Sequence, residues 1–87
     1  MIRVRYYAIL RDITGKSEES LEIKERKLSE LISLLNNKYP KLSEFMGKYK
    51  ITVLVNGSIC SDDCLIKDGD LVEFLPPSSG GSGSDEV

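Results

Sequence analysis

The 87-residue sequence contains no histidine and only two cysteines, Cys60 and Cys64. Without histidine the chain cannot form a Ser-His-Asp or Cys-His catalytic arrangement, and it lacks the commonest metal ligand. Two cysteines alone cannot complete a tetrahedral zinc site. Their C-x-x-x-C spacing is not the C-x-x-C redox motif. We therefore expect Cys60 to be a small buried hydrophobe and Cys64 a loop residue, with no bound metal.

Long apolar runs and clustered positive charge are also missing. Arg3 and Arg5 interrupt the apolar start of the chain, and no stretch reaches membrane-spanning length, so we expect a cytoplasmic protein with no membrane partner. Twelve basic residues stand against 14 acidic ones, with a sequence pI near 5.1. Nucleic-acid binding usually shows a concentrated basic face and a high pI, so we expect no nucleic-acid partner.

The length allows one small domain. Such a domain buries only roughly 60 to 65% of the surface that its unfolded chain exposes, which leaves little room for an enclosed active site. Together with the missing catalytic residue types, this favours a carrier or binding protein over a stand-alone enzyme, with no cofactor bound to the chain itself.

Hydrophobic periodicity divides the first half of the chain into strands and a helix. Residues 2–8 and 18–23 alternate as strands, with Ile2, Val4 and Tyr6 facing the core and Tyr7 facing the other way. Residues 27–38 change to the helical period. Pro40 stops this helix, and Lys27 is a poor N-cap for it. One further short helical turn is expected over 42–45.

The second half predicts three more strands and a tail. Residues 51–55 and 58–60 flank Asn56-Gly57, a strong hairpin signal, and residues 71–75 form the last strand before Pro76-Pro77. The predicted order is β-β-α-β-β-β over a domain of residues 1–77. Residues 78–87 contain no apolar side chain before Val87, so we expect a flexible tail.

Strand parity predicts a candidate partner surface. Tyr7, Ile59 and Leu75 all fall on the side of the sheet opposite the core, where an apolar patch would mark a partner site. Two alternatives stay open: another element covers these residues, or the parity is shifted by one. The cluster Asp62, Asp63, Asp68 and Asp70 does not match a calcium loop, and turn chemistry explains it better.

The tail is a second candidate site. Pro76-Pro77 favours an extended start, and the six residues from Pro76 to Gly81 could reach roughly 20 Å from the fold. Glycine lacks a Cβ, so Gly80 and Gly81 could enter a narrow channel and leave a carbonyl open to attack. A flexible linker is the alternative interpretation, because Gly/Ser stretches are common.

Several segments together resemble the small subunit of molybdopterin synthase, the MoaD family. These are the opening MIRVRYYAILRDITG, VNG at 55–57, KDGD at 67–70 and the ending VEFLPPSSGG at 72–81. The thiamin sulfur carrier ThiS shares the diglycine, but it is typically shorter through the helical middle. The resemblance implies an α+β, ubiquitin-like β-grasp fold: a mixed sheet of four to five strands, one main helix on one face, and a mobile C-terminal tail.

The resemblance also implies a sulfur-carrier function. In the family, an ATP-dependent activating enzyme adenylates the terminal glycine carboxylate, here that of Gly81, and sulfur then replaces the adenylate to give a thiocarboxylate. The arm inserts into the large subunit, a MoaE-like protein, and sulfur passes to the pterin precursor of the molybdenum cofactor. Partner contacts would involve Tyr7, Ile59, Leu75, Pro76 and Pro77. The chain itself would be non-catalytic.

Six residues after Gly81 depart from the family pattern. Residues 82–87 could be a precursor segment removed by a processing protease, the start of a fused domain, or a cloning remnant. Three alternatives to the molybdopterin role also stay open. They are a ubiquitin-like protein modifier, a tRNA-thiolation or thiamin sulfur carrier, and a non-covalent β-grasp binding module.

Overall fold

The computed structural model describes residues 1–77, so the tail with Gly80 and Gly81 lies outside the described residues. Its elements in chain order are β1 (Ile2–Tyr6), α1 (Ile9–Thr14), β2 (Glu18–Leu21), β3 (Glu25–Lys27), α2 (Leu28–Lys38), α3 (Pro40–Lys48), β4 (Thr52–Val55), β5 (Ser58–Ile59), β6 (Leu65–Lys67) and β7 (Leu71–Leu75).

Five strands form one mixed sheet in the order β2-β1-β7-β4-β5, and β3 pairs with β6 in a second, two-stranded sheet. The central pair β1 and β7 is parallel, while β2, β4 and β5 join antiparallel. Two strands so far apart in sequence can pair in parallel because the intervening chain crosses over one face of the sheet. The predicted mixed sheet is confirmed.

The core contains Ile2, Val4 and Tyr6, as the alternation in the first strand predicted. Its buried hydrophobic residues are Ile2, Val4, Tyr6, Leu10, Leu21, Leu28, Leu31, Leu35, Leu42, Val55, Ile66, Val72 and Phe74. They come from alternate positions of the strands and from the inward faces of α1, α2 and α3, as periods of 2 and 3.6 residues require. The tyrosine ring of Tyr6 lies between Phe74 and Tyr39, with centroid distances of 6.0 and 6.2 Å.

Five elements differ from the sequence prediction. The first strand ends at Tyr6 rather than Ala8, because Ala8 takes a φ of 52° that extended backbone does not allow, and the short helix α1 follows. Helix α3 has nine residues rather than one turn, with Pro40 in its first turn. Strands β3 and β6 were not predicted, because three residues are too few to show a period.

Helix α2 begins at Leu28, after the weak N-cap Lys27, and backbone groups from a distant loop compensate. The amide N–H of Leu28 donates to the Cys64 carbonyl oxygen at 2.9 Å, and that of Ser29 donates to the Asp62 carbonyl oxygen at 3.0 Å. The Glu30 carboxylate accepts from the Lys27 amide N–H at 3.3 Å. The loop therefore satisfies two of the amide donors that a helix N-terminus leaves without a partner inside the helix.

The expectation for Cys60 as a free, buried hydrophobe is wrong, whereas Cys64 is a loop residue as predicted. Cys60 and Cys64 are both half-buried, and a disulfide joins them across Cα atoms 5.7 Å apart, within the range that a disulfide can bridge. The amide N–H of Cys64 donates to the Ser61 carbonyl oxygen at 3.0 Å. This turn folds the loop back on itself and brings the two cysteines together.

The acidic residues Asp68 and Asp70, in the connection between β6 and β7, act as turn residues, as predicted. The Asp70 carboxylate accepts from the Lys67 amide N–H at 2.8 Å and from the Asn56 side-chain amide at 3.0 Å. The Lys67 contact is the main cause of the lowered pKa of Asp70, and the Asn56 contact adds to it. Asp68 forms an ion pair with the N-terminal amine of Met1. Within residues 1–77, no group of three or more His, Cys, Asp or Glu side chains could hold a metal ion.

The Glu19 carboxylate connects the edge strand β2 to the end of α2 through hydrogen bonds. Glu19 points to the core side of β2, and its carboxylate accepts from the hydroxyls of Tyr6 at 2.6 Å and Tyr39 at 2.8 Å and from the Lys38 ammonium at 2.7 Å. Burial and the hydrogen bond to Glu19 raise the pKa of Tyr6, so its hydroxyl stays protonated and donates. We call Tyr6, Glu19, Lys38 and Tyr39 the Glu19 cluster.

We expect Glu19→Ala to lower the free energy of unfolding by about 1–3 kcal/mol, because it leaves buried donors of the Glu19 cluster without an acceptor. Denaturant unfolding measures this change. The matched control is Glu22→Ala, which removes an exposed carboxylate three residues later and should change stability by less than about 0.5 kcal/mol. Equal effects of the two substitutions would contradict a stabilising role for the Glu19 cluster.

The Glu19 cluster also predicts a pH dependence. Burial by itself would raise the pKa of Glu19, but the hydrogen bonds from Lys38, Tyr6 and Tyr39 outweigh burial and lower it. The stabilisation is therefore complete above the unfolded-state pKa of about 4.3 and is lost as the pH falls through the lower folded-state pKa. We expect the stability difference between the wild type and Glu19→Gln to shrink below about pH 4, measured by denaturant unfolding. A difference that does not vary with pH would contradict this.

Candidate functional site: the outer face of the sheet

The face of the five-stranded sheet opposite the helices carries a continuous row of side chains. Arg5 of β1 lies opposite Glu73 of β7, Glu73 opposite Leu54 of β4, and Leu54 opposite Ile59 of β5. Directly paired residues share a face of a sheet, and their neighbours Val72 and Phe74 are buried on the other face. We call this surface the outer face.

One half of the outer face is charged. Glu18 accepts from Arg3 Nη2 at 2.9 Å and from Arg5 Nε at 3.1 Å, and these contacts, with Arg3 the larger cause, lower the pKa of Glu18. Arg5 Nη1 also lies 3.7 Å from the Glu73 carboxylate. Ion pairs at this exposure add little stability, so their main effect is to fix the positions of these charges on the surface.

The other half is apolar and formed by Leu54, Ile59 and Leu75. Leu54 and Leu75 are half-buried, while Ile59 is 79% exposed on the edge strand β5. Leu75 is paired with Thr52, two residues from Leu54 on the same strand, so it lies diagonally from Leu54. An isoleucine so exposed beside two further leucines is a surface that a partner can cover.

The structure brings the predicted patch residues Tyr7, Ile59 and Leu75 to one face. It adds Leu54 to them and places Tyr7 at the edge of the patch. Ile59 and Leu75 belong to the apolar half, as parity predicted. Tyr7 follows β1 on the same face, but its hydroxyl donates to Glu73, so it lies at the border with the charged half. Leu54 was missed. The Asn56-Gly57 hairpin signal could have found it, because a two-residue loop places Leu54 opposite Ile59.

The chain leaves the outer face at its last strand. Pro76 is half-buried and Pro77 exposed, directly after Leu75 at the end of β7. Because β7 runs parallel to β1, this exit lies at the same end of the sheet as Tyr7. The predicted working residues Gly80 and Gly81 follow Pro77 but lie outside the described residues. The chain thus departs from the end of the outer face.

None of the helices within residues 1–77 has the length and apolar content needed to cross a membrane. The residues of the outer face include no histidine, and Tyr7 and the carboxylates there are paired with each other or with arginine. The arrangement is suited to recognition, since it offers fixed charges beside an apolar surface and no activated nucleophile.

Comparison with known proteins identifies the family. The ThiS family model matches residues 4–81. A Pyrococcus furiosus structure named for subunit 1 of the molybdopterin converting factor is 30% identical, with a TM-score of 0.78 over 88% of this chain and 97% of that protein. Small archaeal modifier protein 1 of Methanosarcina acetivorans is also 30% identical, with a TM-score of 0.76 over 92% and 95%. Among curated proteins, none matches significantly.

A third structure shows a relative with a bound partner. Subunit 1 of the Helicobacter pylori molybdopterin-converting factor, solved as a complex with subunit 2, has a TM-score of 0.66 and 23% identity over 92% of this chain and 97% of its own. These neighbours and the mixed sheet with helices on one face confirm the predicted β-grasp fold. The chain belongs to the ThiS family, a family of small ubiquitin-like sulfur-carrier proteins.

Proposed function

We propose that this protein is the small subunit of a molybdopterin synthase and donates sulfur from a thiocarboxylate at Gly81. The observation that carries the proposal is the extent of the family match, which ends at Gly81 itself and so includes both glycines of the tail. The outer face supports it, because the segment that leads to Gly81 departs from the end of that face at Pro77.

The proposed chemistry begins at the Gly81 carboxylate, which is a poor acceptor for sulfur. An ATP-dependent activating enzyme would convert it to an acyl adenylate, a mixed anhydride from which AMP leaves readily. Sulfur would take the place of AMP and give the thiocarboxylate. Ionised near neutral pH and strongly nucleophilic, this group would attack the pterin precursor in a pocket of the large subunit, so the chain needs no general acid or base of its own.

Residues 82–87 must be absent for this chemistry, because in their presence the Gly81 carbonyl belongs to a peptide bond. We propose that a protease removes them and exposes the carboxylate. A fused second domain and a cloning remnant are the alternatives, and the natural mass of the protein distinguishes all three. We also propose a cytoplasmic location, because the activating step consumes ATP.

For docking, we propose that the large subunit covers the apolar half of the outer face while Pro76 and Pro77 direct the tail towards the partner's pocket. The border residue Tyr7 would fix the orientation through its contact with Glu73. Burial of Ile59 and its two leucine neighbours supplies the hydrophobic contribution, and the adjacent charges of Arg5 and Glu73 supply specificity.

A second candidate function is protein modification, in which Gly81 is joined to lysine side chains of target proteins. The specific observation that favours it is the 30% identity to a small archaeal modifier protein, equal to the identity with the molybdopterin relative. Both functions begin with the same adenylate. They differ in the final acceptor, which is a pterin in one case and a lysine amine in the other.

We expect Leu75→Glu to weaken binding to the large subunit at least about tenfold, because a carboxylate placed in an apolar contact must be desolvated without a partner. Titration calorimetry with the large subunit of the same organism measures the change. The matched control is Leu65→Glu, an exposed leucine of β6 in the separate two-stranded sheet, which should leave affinity unchanged. Equal affinities for both variants would argue against docking through the outer face.

We expect a chain that ends at Gly81 to gain one sulfur in place of one oxygen when it is incubated with the activating enzyme, ATP and a sulfur donor. Intact-mass spectrometry detects the exchange. A chain that ends at Gly80 should bind the large subunit but form no pterin product, and the chain that retains Val87 should gain no sulfur. Sulfur gained by the longer chain would exclude Gly81 as the working residue, and lysine-linked conjugates on a denaturing gel would support the modifier function instead.

A further inference from the structure

The bridge between Cys60 and Cys64 joins three parts of the fold. Cys60 follows directly after Ile59, the last residue of the edge strand β5, and Cys64 directly precedes β6 of the two-stranded sheet. In the loop that the bridge closes, the carbonyl oxygens of Asp62 and Cys64 accept the first amide N–H groups of α2. The bridge therefore holds the loop that caps the longest helix and anchors the exposed end of the outer face.

The bridge borders an open cavity. A cavity of about 520 Å³ lies between α2, α3 and β4, and Cys60 lines it together with Ile59, Asp62, Ile32 and Met46. Both cysteines are half-buried rather than enclosed in the core. An incoming thiol can therefore approach the bridge from the cavity, as thiol–disulfide exchange requires.

We propose that Cys60–Cys64 is a site of reversible thiol–disulfide exchange, that its co-reactant is a dithiol, and that reduction releases the loop that caps α2. In the first step a thiolate of the dithiol attacks one sulfur, a mixed disulfide forms, and the other cysteine leaves as a thiolate that takes up a proton. The second thiol of the reductant then attacks the mixed disulfide and displaces the remaining cysteine. The reductant becomes a disulfide, and Cys60 and Cys64 become two thiols.

The effect of reduction is local. The two cysteines are only four residues apart in sequence, and a bridge that closes so short a loop restricts the unfolded chain little. The loop itself loses its only covalent constraint within residues 1–77, and the amide donors of Leu28 and Ser29 lose a fixed pair of acceptors. The Lys27 side chain carries no oxygen, so the N-cap residue cannot replace these acceptors.

Reduction of the bridge also affects the outer face. Ile59 is bonded directly to Cys60, and β5 is a two-residue edge strand held on one side only, by β4. Loss of the bridge frees the chain after Ile59. This redox site therefore adjoins the surface that we propose for docking. In the reducing cytosol, disulfides are uncommon, and those that form usually serve catalysis or redox sensing.

Hydrogen exchange of the backbone amides in the full chain tests the site. We expect the Leu28 and Ser29 amides to exchange on the order of tenfold faster after reduction with dithiothreitol, and the amide of Val4 in the central strand to keep its rate. Oxidised glutathione should restore the slow rates. Unchanged rates at Leu28 and Ser29 on complete reduction, verified by thiol alkylation and mass, would overturn the proposal.

A double substitution provides the control. The chain with Cys60→Ser and Cys64→Ser should show the fast rates at Leu28 and Ser29 whether or not dithiothreitol is present. A response of this variant to the reductant would overturn the proposal, because it has no sulfur to exchange. The wild-type experiment needs no substitution, so it decides the matter even where the variant folds poorly. It uses the isolated chain, and its failure would leave the proposed carrier function intact.

Discussion

Strands β1 and β7 pair in parallel at the centre of the sheet, with Val4 opposite Val72 and Tyr6 opposite Phe74. All four side chains are buried, and the pair carries the rest of the larger sheet, with β2 attached to β1, β4 attached to β7, and β5 attached to β4. The pairing joins the first and last strands of the described chain and is parallel, so the chain between them has to cross one face of the sheet. The β1–β7 pairing therefore determines the position of the core, the face that the chain crosses, and the end of the sheet at which the chain leaves β7.

This constraint also explains the division of the outer face. The parallel pairing sets Arg5 of β1 beside Glu73 of β7, and the antiparallel pairing on the other side of β7 sets Leu54 next to Glu73. Charges consequently collect on the β1 side and apolar side chains on the β4 and β5 side. Even a small domain can thus present an apolar surface and a charged surface side by side without exposing residues of its core.

The inner face shows how the helices are held against the sheet. Glu19 is a charged residue on the core side of an edge strand, a position that burial alone would make unfavourable. Two tyrosine hydroxyls and a lysine satisfy it, and they come from β1 and from the end of α2. At the other end of α2, backbone carbonyl oxygens of the bridged loop cap the first turn. Helix α2 is thus fixed at both ends by polar groups and along its length by leucines.

Local patterns in the sequence predicted much of the core of this protein. The alternation of Ile2, Val4 and Tyr6, the helical spacing of Leu28, Leu31 and Leu35, and the Asn56-Gly57 turn are local patterns, and the structure confirms each. Family motifs added the fold. These signals are readable because they depend on residues close together in the chain.

The other features depend on contacts between distant parts of the chain. The cap of α2, the pairing of β3 with β6, the disulfide and the partners of Glu19 each join residues whose types do not predict the contact. Lys27 is a poor cap, the three residues of β3 are all exposed, and the two cysteines did not match a known spacing motif. Their structure depends on which distant backbone groups and side chains the parallel β1–β7 pairing brings together, and that is a property of the folded chain.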